Sequence, residues 1–146
     1  MTPIYGFHLT LRVADIENCS ALEGFENISS LLYELVSRIG MRILAGPLVG
    51  EEVAEPINCG WSGVVILAES HAAIHTYPAR REAFVDVFSC KVFDEETVFQ
   101  CLRERLRNFS VREQNTSARG IHWGTDIGAE MDTWMHTRDI SRKLGQ

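Results

Sequence analysis

The stretch from Gly60 to Cys90, GWSGVVILAESHAAIHTYPARREAFVDVFSC, constrains the fold of this chain more than any other. Its three apolar runs, 61–68, 71–77 and 83–90, are separated first by two residues and then by five. A parallel crossover needs about a dozen residues or more, so runs this close are expected to fold as antiparallel neighbours. The first run, WSGVVILA, is nearly continuous and predicts a strand buried on both faces. The other two runs predict further strands, joined by a charged connection from Pro78 to Glu82. The same stretch holds Ser70 between Glu69 and His71, a second histidine at His75, and a cysteine at Cys90.

The flanking segments supply helices and more strand. Residues 5–13 alternate with period two and read as a half-buried strand. After an acidic, irregular stretch, Asn27 is a good N-cap for a helix through ISSLLYELVSRI, with Leu31, Leu35 and Ile39 on one stripe. Gly40 stops it as a C′ residue would. MRILAGPLV predicts a short strand ended by Gly46 and Pro47, and residues 50–60 a loop carrying Glu51, Glu52 and Glu55. Asp94 caps a second helix, DEETVFQCLRERLRN, acidic at its start and basic at its end. Its apolar stripe is Val98, Cys101, Leu102 and Leu106. FSVREQ predicts a last strand, and a weak helix is expected within 129–142. The expected fold class is α+β: a two-layer sandwich of one largely antiparallel sheet with two helices on one face.

At 146 residues the chain is expected to form one domain, 1–146, with a core of its own. A net charge of −6 and a pI near 5.3 argue against nucleic acid as a partner and fit a small-molecule enzyme. The start, MTPIYGFHLTL, lacks a basic region followed by an apolar run, so no signal peptide is expected. No apolar segment approaches the roughly 18 residues a membrane span needs. Cys19, Cys59, Cys90 and Cys101 form no CxxC pair, which favours reduced thiols and a cytoplasmic location. The five histidines form no HExxH, and no metal site is expected.

Taken singly, the reactive residues have plain accounts. Ser70 in AESHA is not the GxSxG of a hydrolase elbow, and Ser62 in GWSGV leads a strand rather than a helix. Cys90 is as readily a core thiol closing a strand as a reactive group. Asp86 shares a strand face with Cys90 and is a candidate to tune a site there, with a paired Asp as the plainer account. Ser62 and Ser70 are eight residues apart, so one continuous strand would present both on the same face.

Taken together they are more specific. The segments GWSG, AESH, IHTYP and DVFSC, in this order and spacing, resemble the prokaryotic S-adenosylmethionine decarboxylases. The likeness is strongest over residues 60–90 and extends through Gly6-Phe7-His8-Leu9 and both helices. It implies a self-processing proenzyme that cleaves the Glu69–Ser70 bond into a β chain, 1–69, and an α chain, 70–146. It implies that Ser70 becomes a pyruvoyl group, the Schiff-base-forming cofactor, in place of pyridoxal phosphate or a metal. Ser62 would stabilise the tetrahedral intermediate of processing, His75 would be the base for elimination, and Cys90 the proton donor in decarboxylation. A homodimer of αβ protomers with active sites near the interface is implied as well. Trp123, Trp134 and His136 are candidates to cover the site or the dimer edge.

The chain departs from the family where the nucleoside is held. HTYPA stands for the usual HTWPE, so Tyr77 replaces Trp and Ala79 replaces the glutamate that binds the ribose hydroxyls. Pro56 falls where the adenine-stacking Phe should be, with Trp61 a candidate substitute. A carboxylate in the acidic loop, with Glu55 as the candidate, suits a guanidinium or ammonium. A solvated loop is the plainer account. Three readings follow: a pyruvoyl-dependent decarboxylase of arginine or ornithine, favoured slightly; S-adenosylmethionine decarboxylase proper; and an unprocessed binding or regulatory subunit. Both enzymes would serve polyamine synthesis.

Overall fold

The six strands form one antiparallel sheet in the order β2-β3-β4-β5-β1-β6. In this computed structural model, which describes residues 4–54, 56–68, 70–121 and 136, they span β1 Ile4–Ala14, β2 Ile43–Glu52, β3 Gly60–Leu67, β4 Ser70–Tyr77, β5 Glu82–Ser89 and β6 Ser110–Ile121. The helices are α1, Phe25–Arg38, and α2, Glu95–Leu106, with 3-10 turns at Cys19–Leu22 and Pro78–Arg80. This is the expected α+β sandwich. No helix among the described residues is long and apolar enough to cross a membrane.

Strand alternation puts one side of the sheet under the helices. Leu9, Leu11, Val13, Val65, Leu67, Ala72, Ile74, Val85 and Val87 bury against Ile28, Leu31, Leu35 and Val36 of α1 and Val98, Cys101, Leu102 and Leu106 of α2. Burying each such aliphatic side chain contributes roughly 1.5–3 kcal/mol. The two helices are tied by ions: Arg105 bonds Glu34 and Ser30, and Arg38 bonds Glu104. Hydrogen bonds from Arg105 hold the Glu34 carboxyl below its ordinary range. Burial beneath this network, reinforced by Glu34, pushes the Cys101 thiol up to about 11.

Among the described residues, no helix covers the opposite face of the sheet. Val64 and Ile66 of β3 are therefore 37% and 52% exposed, so this strand is buried on one face rather than two. Burial alternates along Val64–Leu67 even though these residues are apolar on both sides.

Three boundaries differ from the expected ones. Helix α1 starts at Phe25 with Gly24 (φ 89°) as its N-cap. Asn27 lies in the first turn, and its amide donates to Ser20 O at 3.0 Å and Glu23 O at 2.9 Å instead of capping. Strand β2 runs on through the cis Gly46–Pro47 peptide to Glu52, shifting register on the way. A proline is tolerated there because β2 is an edge strand, where a missing N–H breaks no ladder. β6 is twice the length of FSVREQ because pairing with β1 carries its polar half along. Asp94 caps α2 as expected, accepting from Glu96 N at 3.0 Å, and Gly40 (φ 74°) follows α1. The helix expected within 129–142 lies outside the described residues except for His136, which is exposed.

Candidate active site

The β3–β4 hairpin turns in two residues, because Leu67 pairs with Ser70. Ser70 is thus the first residue of β4, 8% exposed, on the helix-side face with Ala72, Ile74 and Thr76. The β4–β5 register pairs His71 with Phe88 and brings the residue just past β5, Cys90, beside Ser70. Cys90 N donates to Ser70 Oγ at 3.0 Å, and the Ser70 hydroxyl lies 3.7 Å from Cys90 Sγ. The thiol is also 3.8 Å from Ala68 O, the last described residue before the hairpin closes. Gly6 permits this corner to form: a Cβ there would stand 2.2 Å from Ser89 O.

Cys90 reaches Ser70 because β5 has ended at Ser89, so strand parity no longer directs its side chain. Asp86, inside the strand, is on the open face with His8, 3.9 Å from His8 Nε2. The two residues expected to share a face therefore do not act on one point.

Ser62 and His75 form a second pair. They are directly opposed across β3 and β4, with Ser62 Oγ 2.7 Å from His75 Nδ1, and both are exposed on the open face. Thr76 steadies them from behind: its buried hydroxyl donates to Leu22 O at 2.7 Å and accepts from Trp61 N at 3.1 Å. The expectation that Ser62 and Ser70 share a face on one strand is overturned by the hairpin between them. Five steps along β4 lead from Ser70 to His75, about 16 Å at ~3.3 Å per residue, and the odd spacing puts them on opposite faces. Within one chain the structure brings together Ser70 with Cys90, and Ser62 with His75, but not the two pairs.

A cleft of about 690 Å³ opens beside Ser62, lined by Arg12, Glu52, Asn58, Gly60, Thr76, Tyr77, Arg80, Glu82 and Phe84. Tyr77 meets Phe84 edge-on at 6.0 Å between ring centroids. Arg12 clamps both oxygens of Glu82, at 3.1 and 3.3 Å. Of the residues expected to bind substrate, Tyr77 lines this cleft, whereas Trp61 is half-buried against the helix-side core. Ala79 and Pro56 are exposed. Glu55 and Glu69 lie outside the described residues.

Sequence reading missed one cluster, because only strand register assembles it. His8 of β1, His71 of β4, Phe88 of β5 and Arg119 of β6 meet on the open face next to Asp86. His8 and His71 are edge-on at 6.1 Å, and Arg119 lies over Phe88 at 4.4 Å. Burial, helped by His8 and Arg119 and opposed by Asp86, holds His71 below the ordinary imidazole range. His8 Nε2 is buried with no hydrogen-bond partner among the described residues.

Residues 10–119 of the chain, which carry all of this geometry save its first strand residues, match the family model described as S-adenosylmethionine decarboxylase. The chain belongs to the S-adenosylmethionine decarboxylase family. A relative named S-adenosylmethionine decarboxylase proenzyme, from Clostridium botulinum strain Langeland, is 34% identical over 104 residues, covering 69% of this chain and 83% of that protein. One of the same name from Symbiobacterium thermophilum is 30% identical over 86 residues, 59% of this chain and 61% of that protein. In a third, from Thermomicrobium roseum, identity reaches 50% over 54 residues, 36% of this chain and 46% of that protein. The crystal structure of the adenosylmethionine decarboxylase from Aquifex aeolicus superposes with a TM-score of 0.61 at 23% identity, covering 82% of this chain and 94% of that one. That likeness establishes the S-adenosylmethionine decarboxylase fold for this chain.

Proposed function

We propose that this protein is a self-cleaving, pyruvoyl-dependent carboxy-lyase that decarboxylates S-adenosylmethionine for polyamine synthesis in the cytoplasm. The observation that carries the reading is the seating of Ser70 against Cys90, with the serine oxygen held by a backbone N–H and faced by a thiol. In self-cleavage the Ser70 hydroxyl adds to the Glu69 carbonyl, and the Glu69–Ser70 C–N bond breaks to leave an ester and a free amine. Loss of the Ser70 α-proton expels the Glu69 carboxylate, and water then releases ammonia to leave a pyruvoyl group.

The surroundings of Ser70 fit that group. The position is nearly buried, which limits water, and the Cys90 N–H is aimed at it. A pyruvoyl group supplies an electrophilic carbonyl that binds a substrate amine and takes up electrons as CO₂ leaves. Cys90, held at Ser70 by strand register, delivers a proton to the carbon left behind.

The Ser62–His75 pair stands too far from Ser70 in its own chain to serve processing there. We therefore read the active unit as a homodimer in which each Ser62–His75 pair serves the partner's Ser70. An isologous interface repeats every contact twice, so two such sites would form. Co-expressing Ser70→Ala with His75→Ala tests this by mass analysis. If the pair acts between chains, the His75→Ala chain is cleaved in the mixture but not alone. No cleavage in the mixture would place the pair's action within one chain. An uncleaved wild type would favour a binding or regulatory subunit.

A second reading has its own support. Ala79 offers no acceptor to a ribose, and Glu52 stands in the cleft. A basic amino acid, arginine or ornithine, would suit that carboxylate. The names of the relatives support S-adenosylmethionine. CO₂ release from the three compounds in parallel separates the readings.

A further inference from the structure

We propose that Glu52 is the specificity residue of this protein, accepting hydrogen bonds from the donor-bearing far end of the substrate in the cleft between β2 and β4. The inference rests on the reading above, and it concerns a residue that the sequence placed in a loop.

Three observations converge on it. The first is placement: Glu52 ends β2 opposite Gly60 of β3, and Tyr77 ends β4 on the other side of Gly60. Two strand spacings separate the outer backbones, about 9–10 Å, which is room for a planar group. Gly60 keeps the gap open. A Cβ there would stand 1.7 Å from Thr76 O and 3.5 Å from Tyr77 Cα, so no side chain can fill the floor.

The second is charge. Of the ionic groups lining the cleft, Arg12 is engaged with Glu82, and Arg80 donates to Asn58 Oδ1 at 3.0 Å. Glu52 makes no ion pair among the described residues. Its Oε1 accepts from Ala54 N at 2.7 Å, which orients the carboxylate and leaves the second oxygen for a ligand.

The third is continuity with the chemistry. Ser62 lines the same cleft and bonds His75, so a ligand seated between Glu52 and Tyr77 lies beside the pair assigned to the partner's Ser70. The end of the substrate that reacts would reach that Ser70 while its far end stays on Glu52. The ligand chemistry is a group with two or more donors: a guanidinium, an ammonium or vicinal hydroxyls. A carboxylate binds all three, and replacing it with an amide separates them.

The test has two arms. In wild type and Glu52→Ala, each confirmed by mass to be cleaved, KM and kcat are measured for S-adenosylmethionine, arginine and ornithine. KM for the compound turned over is expected to rise about 10- to 100-fold, with a smaller change in kcat. In the second arm the uncleaved Ser70→Ala protein, alone and with Glu52→Ala or Glu52→Gln, is titrated calorimetrically with the same compounds. Glu52→Ala is expected to weaken Kd by a similar factor. Glu52→Gln should weaken a cation as much as Ala does but spare hydroxyls, which an amide oxygen still accepts. An unchanged Kd in Glu52→Ala, or no binding of any of the three to Ser70→Ala, overturns the role of Glu52. Loss of cleavage and turnover in wild type with a Glu52-dependent Kd instead overturns the enzymatic reading alone.

Discussion

Ser62 Oγ and His75 Nδ1 stand 2.7 Å apart on the sheet face that Ser70 does not share. The pair is preformed, since cross-strand register alone opposes the two residues and a buried threonine pins the neighbouring backbone. It is also incomplete, because the bond it is proposed to help break lies beyond its reach in the same chain. A second copy whose Ser70 meets this pair is the arrangement proposed to complete it.

Ser70→Ala is expected to remain a single chain on denaturing mass analysis and to release no CO₂. Cys90→Ala should still cleave at Glu69–Ser70, while decarboxylation falls about 100-fold or more, the usual scale for a lost proton donor. Full activity in cleaved Cys90→Ala would remove the thiol from the mechanism.

Thr76→Val should destabilise the protein by about 1–3 kcal/mol, because it is nearly isosteric but strips the partner from Leu22 O and Trp61 N. Thr76→Ser keeps the hydroxyl and should recover most of the loss. Thermal melts of the three proteins decide the point. Equal melting of Thr76→Val and wild type would mean those backbone groups find water instead.

Stability should fall as pH drops from 6.5 toward 5.5, in part through His71. Its folded pKa is held below the ordinary 6.5, so the unfolded chain takes up the proton first. The contribution is complete above that value and is lost as pH falls through the lowered one. Burial of the ring is the main cause, with His8 from β1 and Arg119 from β6 facing it and acting in the same direction and Asp86 from β5 acting against them. Glu34 and Glu104, also lowered, act in the same direction but only below about 4.5. Urea unfolding at pH 7.5 and 5.5 should show a smaller difference in His71→Gln; an identical difference assigns the effect elsewhere.

Much of the fold was legible because its signals are local. Asp94 before an acidic turn, Gly40 after a stripe of Leu31 and Leu35, and three apolar runs too close for crossovers each act within a few residues. The site was half legible. Ser70 and Cys90 lie together in the structure, while Ser62 and Ser70 face opposite ways because the hairpin between β3 and β4 ends the parity that one unbroken strand would keep. Glu52 was read as loop for a related reason. Gly46 and Pro47 look like a strand end, yet an edge strand loses nothing by running through them.

By itself the sequence determined the periods, the caps and the order of reactive residues, since these depend on side-chain volume and polarity over short spans. Which of those residues meet was decided by register, summed over five strand pairings. A shift of one residue turns every side chain to the other face, and no local pattern carries that information. Tertiary structure therefore put Cys90 at Ser70, set Ser62 and His75 on the far side, and opened a cleft over Gly60 with Glu52 at its edge.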